Sequence, residues 1–259
     1  MPKPNVASLL LALPQHKIKP FSKLLASNDL SLDVFEFPVL ELTPGNVSLL
    51  DYQFADFDWL ILASSFAATV FFEALREQEK SLSNNLKIAV VGPSVFEVVE
   101  NYGYSVALQP QKFNAVALIE ELLQDNNIAQ KKCLFVCGEK TAADESINKL
   151  KQVGASISKL IVYKSELVLH PSFGELQHFL QSEASVNIIC LTSPEGVQAF
   201  SEILSSQKIM LPVDCVFVCL GPATQNITQS LFLQAQVYSP AEYSYNGMIQ
   251  LIKDLVHNV

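Results

Sequence analysis

The chain has 259 residues, nearly half of them apolar, with a formal net charge of −9 and a sequence pI near 4.9. That length suits two domains of ordinary size. The acidic balance excludes a protein built around a basic face for nucleic-acid phosphates, and no stretch reaches the roughly 18 apolar residues of a membrane span.

Taken in chain order, short apolar runs alternate with stretches of helical spacing. Strands are predicted at residues 7–12, 34–39, 59–63, 88–91, 133–137, 157–163, 187–191 and 216–220. Their near-continuous apolar character predicts parallel strands covered on both faces. The first run, within NVASLLLALP, has only Lys3 as a basic flank and a poor cleavage region after it, so it reads as a buried strand rather than a signal peptide. Ala68, Phe71, Phe72 and Leu75 form one apolar stripe; Val197, Phe200 and Leu204 form its counterpart. Alternating strands and helices give an α/β fold with parallel sheets.

The chain repeats itself. WLILASSFAATVFFEAL (59–75) returns as NIICLTSPEGVQAFSEIL (187–204), and KIAVVGPS (87–94) returns as VFVCLGPA (216–223). One offset, about half the chain, carries Ser64 onto Ser193 and Gly92 onto Gly221. Two copies of one folding unit follow, and with them the expectation of a cleft between two lobes. The outer parts correspond more loosely, Val39 with Tyr163 at a slightly shorter offset.

Five cysteines are an odd number for a disulfide framework. Cys133 and Cys137, and Cys215 and Cys219, are spaced to share one face of a strand. They read as reduced core residues, and a cytoplasmic location is expected. The four histidines make no ligand spacing with them, so no metal site is expected.

Parallel sheets bind ligands beyond the carboxyl ends of their strands. Four such ends turn directly into helices: Ala63-Ser64-Ser65, Gly92-Pro93-Ser94, Thr192-Ser193-Pro194 and Gly221-Pro222-Ala223-Thr224. Two readings stay open for each loop. One is ordinary helix capping, with Ser193 as N-cap and Pro194 at the first helical position. The other is anion binding by exposed helix N–H groups. Tyr163, at a strand end, is either a proton donor or a core aromatic. GEKT (138–141) lacks the earlier glycine of a P-loop, since Cys133 stands there, and neither GxGxxG nor GxSxG occurs.

In its order of elements through nearly the whole chain, the sequence resembles the uroporphyrinogen-III synthase family. LTSPEGVQAF (191–200) is similar to that family's Thr-Ser-Pro-x-x-Val pattern, and LGPATQNI (220–227) to its Gly-Pro-x-Thr segment; VVGPS, CGE and LIVYKSE fall at the expected intervals. The resemblance implies two similar three-layer α/β lobes with parallel sheets, joined by two extended linkers. The first lobe would be discontinuous, residues 1–38 plus 171–259; the second would span 43–163, with linkers at 39–42 and 164–170. It implies cyclisation of hydroxymethylbilane, a linear tetrapyrrole with acetate and propionate on every ring, to uroporphyrinogen III with inversion of ring D. No metal or organic cofactor is implied. A monomer is expected, with no nucleic-acid or membrane partner and a transient contact with the preceding pathway enzyme.

Carried over residue by residue, Tyr163 matches the family tyrosine of the Val-Tyr segment, the candidate for the general acid. Thr192, Ser193, Ala223 and Thr224 fall in the substrate-binding loops of one lobe; Ser64, Ser65, Gly92 and Ser94 fall in those of the other. The sequence departs at Ala12-Leu13-Pro14, where many members have Thr-Arg-Pro. It departs again at Val95 and Ala223, where threonines occur, and at Phe66, after Ser65. These departures motivate an alternative, a non-catalytic bilobal homologue that binds a ligand or partner. A two-lobed binding protein for a small anion is a third reading.

Overall fold

A computed structural model describes residues 7–28, 30–124, 128–139, 144–170, 173–181 and 187–257. Along the chain lie β1 (Ala7–Leu11), α1 (Gln15–Ala26), β2 (Leu32–Glu36), β3 (Leu40–Pro44), β4 (Trp59–Leu62) and α2 (Ser65–Glu77). Next come β5 (Lys87–Val90), α3 (Pro93–Asn101), α4 (Ala115–Leu123), β6 (Lys132–Gly138), α5 (Asp144–Gln152) and β7 (Ser156–Leu167). The chain continues through α6 (Gly174–Leu180), β8 (Asn187–Leu191), α7 (Pro194–Gln207), β9 (Cys215–Cys219), α8 (Pro222–Leu231), β10 (Gln236–Tyr238) and α9 (Tyr245–His257). It divides into two compact units: Met1–Leu42 with Glu166–Val259, and Thr43–Ser165.

The first unit is built on a sheet of order β10-β9-β8-β1-β2, with parallel pairings throughout. The central strands are apolar on both faces because both are covered. Leu9, Leu11, Ile188, Cys190, Val216 and Val218 pack against Ile18, Phe21 and Leu25 of α1 and Met248, Ile249 and Ile252 of α9. The alternate residues Leu10, Ile189, Leu191, Phe217 and Cys219 pack against α6 and α7. This helix–sheet–helix layering is what near-continuous apolar strands require.

The second unit is built on a sheet of order β3-β7-β6-β4-β5, in which β5, β4, β6 and β7 pair parallel. Leu60 and Leu62 face Phe71, Phe72 and Leu75 of α2 and Val95 and Val99 of α3. Trp59 and Ile61 face Leu118, Ile119 and Leu122 of α4 and Ile147 and Leu150 of α5. Fully burying one such side chain contributes about 1.5–3 kcal/mol. The two helical stripes read from the sequence, Ala68/Phe71/Phe72/Leu75 and Val197/Phe200/Leu204, are all buried.

Every strand expected from the sequence is present, displaced by a few residues at some ends. Two further strands, β3 and β10, carry no strong apolar signal: LELTP has charged and polar members, and QVY is very short. Most of the segments expected as linkers are strand, since residues 40–42 lie in β3 and 164–167 in β7. Both divisions between the units fall inside these strands, which are neighbours in the second sheet. Beyond β7, the ring of His170 stacks on Phe37 at 4.1 Å, and its Nε2 lies 2.8 Å from the Pro38 carbonyl oxygen.

All five cysteines are free and buried. Cys133 and Cys137 share one packed face, and Cys215 and Cys219 share another. Burial pushes the Cys215 and Cys219 thiols up to about 11 and the Cys133 thiol up to about 12. No helix among the described residues is long and apolar enough to cross a membrane.

Candidate active site

The four helix-starting loops sit where the sequence puts them, at the carboxyl ends of adjacent strands within each unit. In the second unit the Val91 N–H donates to the Leu62 carbonyl at 3.2 Å; in the first, the Leu220 N–H donates to the Leu191 carbonyl at 3.0 Å. These are the same bond in the two copies of the repeat, and each holds two loops side by side. Ser64, Ser65, Gly92 and Ser94 are thereby grouped in the second unit, and Thr192, Ser193, Ala223 and Thr224 in the first.

Within each group the residues do different work. Ser64 Oγ accepts the Ala67 N–H at 3.4 Å, and Ser193 Oγ accepts the Gly196 N–H at 3.2 Å. Both are N-caps, which contribute about 1 kcal/mol each. Each hydroxyl keeps its own hydrogen to donate. Ser65 opens α2, and its carbonyl accepts the Thr69 hydroxyl at 3.0 Å. Gly92 and Gly221 precede Pro93 and Pro222, and neither caps its helix through a side chain. The first N–H groups of such a helix have no partner within it and attract negative charge. Ser94 and Ala223 lie exposed on these first turns.

Aromatic rings stand over both glycine loops. A Cβ at Gly92 would lie 3.0 Å from Phe113 Cβ, and one at Gly221 would lie 3.6 Å from Tyr243 Cγ. Phe113 and Tyr243 are separated by almost the same stretch of chain as the two glycines. Both are largely exposed, at 59% and 61%. Sequence reasoning missed this pair. The available signal was an aromatic recurring shortly before α4 and α9, at nearly the repeat spacing.

Tyr163 lies on β7 in the second unit, half-buried. It pairs with Gly138 at the end of β6, where the register shifts. Its ring lies across that glycine so closely that a Cβ there would come within 2.5 Å of Cζ and 2.9 Å of the hydroxyl oxygen. Only glycine leaves the room. Phe66 packs against the same ring at right angles, with centroids 5.2 Å apart. The phenol is thus held by a bare backbone at Gly138 and by a second aromatic ring, at the strand-end side of its sheet. Lys140 and Thr141 of the GEKT segment lie outside the described residues.

In the first unit the strand ends are more polar. Thr192 and Thr224 are 5% and 4% exposed. The Thr228 hydroxyl donates to the Thr224 carbonyl at 2.9 Å and lies 3.3 Å from Cys219 Sγ. Thr192 Oγ1 and Glu195 Oε1 are buried with no hydrogen-bond partner. Burial holds the Lys17 ammonium below its usual range, against the opposing pull of the Glu195 charge. Burial and the Lys17 charge together hold His16 below its own range. Among the described residues, no group of three or more His, Cys, Asp and Glu side chains is placed to hold a metal ion. A concavity of about 620 Å³ in the second unit, walled by Gly45, Val47, Glu73, Glu77 and Gln78, contains none of the predicted site residues.

The chain is similar to known proteins over most of its length. The family model described as Uroporphyrinogen-III synthase HemD matches residues 20–250. The uroporphyrinogen-III synthase of Synechococcus elongatus is 30% identical over 232 residues, covering 85% of each chain. The crystal structure of a mutant uroporphyrinogen III synthase from Thermus thermophilus superposes with a TM-score of 0.67 at 13% identity, covering 98% of this chain and 100% of that one. The Helicobacter pylori 26695 uroporphyrinogen-III synthetase superposes with a TM-score of 0.62 at 16% identity, covering 96% and 100%. The two structures share the fold; the sequence matches carry the relationship further.

Proposed function

This chain belongs to the uroporphyrinogen-III synthase family and has its cyclising lyase activity, and we propose that Tyr163 is the acid that starts the reaction. The substrate is hydroxymethylbilane. The phenol donates its proton to the terminal hydroxyl, the carbon–oxygen bond breaks, and water leaves. The adjacent pyrrole nitrogen supplies the electron pair and keeps its hydrogen, leaving an electrophilic azafulvenium cation. Ring D attacks through its substituted carbon and forms a spiro intermediate. Fragmentation and reclosure through the other ring carbon invert ring D, and the proton released from that carbon restores the phenol. The balance is loss of one water.

Without a protein, the bilane closes directly to the non-inverted isomer. The enzyme's main contribution is therefore orientation. Helix N–H groups at Gly92-Pro93-Ser94 and Gly221-Pro222-Ala223, with the hydroxyls of Ser64, Ser65, Thr192, Ser193 and Thr224, bind the acetate and propionate arms in this reading. An acidic protein and a polyanionic substrate repel at long range, but physiological salt screens that beyond roughly 8 Å. Local helix dipoles then decide the contact.

One observation carries the assignment of Tyr163: its ring is clamped over Gly138 and against Phe66, which fixes the phenol's position before substrate arrives. The test is a coupled assay in which hydroxymethylbilane is generated in situ and the product isomers are resolved. The parent protein should give the inverted isomer. Tyr163→Phe should fold normally and lose roughly 10- to 1,000-fold in turnover. Undiminished turnover would remove Tyr163 from the role. Formation of only the non-inverted isomer by the parent, at the uncatalysed rate, would favour a non-catalytic binding protein. In this reading the protein acts as a monomer in the cytoplasm and meets the preceding enzyme only transiently.

A further inference from the structure

Thr192, Glu195 and Lys17 converge at the carboxyl ends of β1 and β8 in the first unit. The register sets Leu11 beside Cys190, and the Ala12 N–H donates to the Cys190 carbonyl at 3.2 Å. The two strands therefore end together, and the first turns of α1 and α7 start together. A Cβ at Gly196 in α7 would lie 3.9 Å from Cδ of Pro14, which immediately precedes α1. Ile188 and Cys190 face α1, so strand alternation carries Thr192 to the same side. Lys17 is in the first turn of that helix, its N–H bonded to the Pro14 carbonyl at 2.8 Å.

Two of the three groups are desolvated without compensation. Thr192 is 5% exposed and its Oγ1 has no partner; Glu195 Oε1 is buried and unpartnered as well. Lys17 is half-buried and close enough to Glu195 to feel its charge. Such groups are costly and are ordinarily satisfied. The fold does not ask for them. At the equivalent places in the second unit, one repeat earlier, stand Ala63 and Phe66, and the same strand–turn–helix forms. An unsatisfied donor, an unsatisfied acceptor and a half-buried cation at the ligand-binding edge of a sheet together describe a receptor for a group with both acceptor oxygens and an N–H.

We propose that Lys17 and Thr192 donate to a carboxylate arm of the bilane while Glu195 accepts a pyrrole N–H, so that the three form a subsite orienting one ring. This rests on the reading of the chain as a bilane-cyclising enzyme. Lys17 thereby supplies a cation next to a strand end that reads Ala12-Leu13-Pro14 and has none of its own.

The experiment has two arms. In the coupled assay, Lys17→Met, Thr192→Val and Glu195→Met should each raise KM about 10- to 100-fold, as loss of a charge-assisted or buried hydrogen bond to substrate does. They should leave kcat within about threefold, because the bond is made in the ground state as well. Lys17→Arg should retain most of the affinity. Thermal unfolding midpoints of Thr192→Val and Glu195→Met should stay level or rise, since each of these changes removes an unsatisfied buried polar group. In the second arm, direct binding of a monopyrrole bearing one acetate and one propionate is measured by calorimetry. The parent should bind it, and Lys17→Met should not. Unchanged KM in Lys17→Met and Thr192→Val would overturn the proposal. So would a midpoint lowered in both Lys17→Met and Glu195→Met and restored in the double variant, the signature of a purely structural ion pair. If the parent bound the monopyrrole through Lys17 but never made the inverted isomer, the subsite would stand and the catalytic reading would fall.

Discussion

The two units are copies in backbone and differ in side chains around their strand ends. Each of four positions that are polar in the first unit is apolar in the second: Thr192 answers to Ala63, Glu195 to Phe66, Thr224 to Val95 and Thr228 to Val99. Val95 and Val99 are buried in a continuous apolar cluster, whereas Thr224 and Thr228 bring hydroxyls to the corresponding place. The second unit carries Tyr163, whose ring packs against Phe66, the residue that stands where the first unit has Glu195. Val39, the counterpart of Tyr163, is fully buried in the first unit. Duplication thus supplied two scaffolds, and divergence divided the work. In our reading both units contribute contacts to the substrate's arms, the first with more buried polar side chains, and the second adds a rigid seat for the proton donor.

The comparison is broken most forcefully at the cores. Phe71 and Phe200 are equivalent and fully buried. Phe71→Ala and Phe200→Ala should each destabilise the protein by about 3–5 kcal/mol in urea unfolding. If the units are equivalent scaffolds, the two losses will match within about 1 kcal/mol. A smaller effect comes from exchanging polarity at the third helical residue. Val95→Thr places a hydroxyl in an apolar cluster and should cost about 1–3 kcal/mol. Thr224→Val should leave stability nearly unchanged and lower activity, which an unfolding curve and the isomer assay will separate. The smallest effect is at the caps. Ser64→Ala and Ser193→Ala should each cost about 1 kcal/mol, and Ser193 should cost at least as much, since its bond to Gly196 is the shorter of the two. Equal activity after both changes would confine these serines to capping.

Much of this was legible in the sequence because strand and helix signals are local. Apolar runs such as WLIL and CVFVC mark central strands, and Ser193-Pro194 marks a helix start. Even the repeat is a comparison of short segments. β3 and β10 were not legible because edge strands bury little and so carry little apolar signal. The seat of Tyr163 was not legible either. Gly138 looks like any loop glycine until a neighbouring strand lays a ring across it. Lys17 and Glu195 lie far apart in sequence and follow no spacing rule; only the pairing of β1 with β8 brings their helices together. Thr192 was legible as a loop residue, but whether a hydroxyl finds a partner is decided by tertiary packing.

β1 occupies an inner position of its sheet, yet its neighbour β8 is made only after the whole second unit. On a ribosome extending at about 5–20 residues per second, the Ala7–Leu11 segment emerges many seconds before β8 exists to cover its open side. The second unit, contiguous from Thr43 to Ser165, is complete before then. Synthesis of this protein therefore includes an interval in which a finished domain hangs behind a bare, sticky N-terminal ribbon. Chaperone dependence in the cell should trace to that ribbon rather than to the domain that follows it.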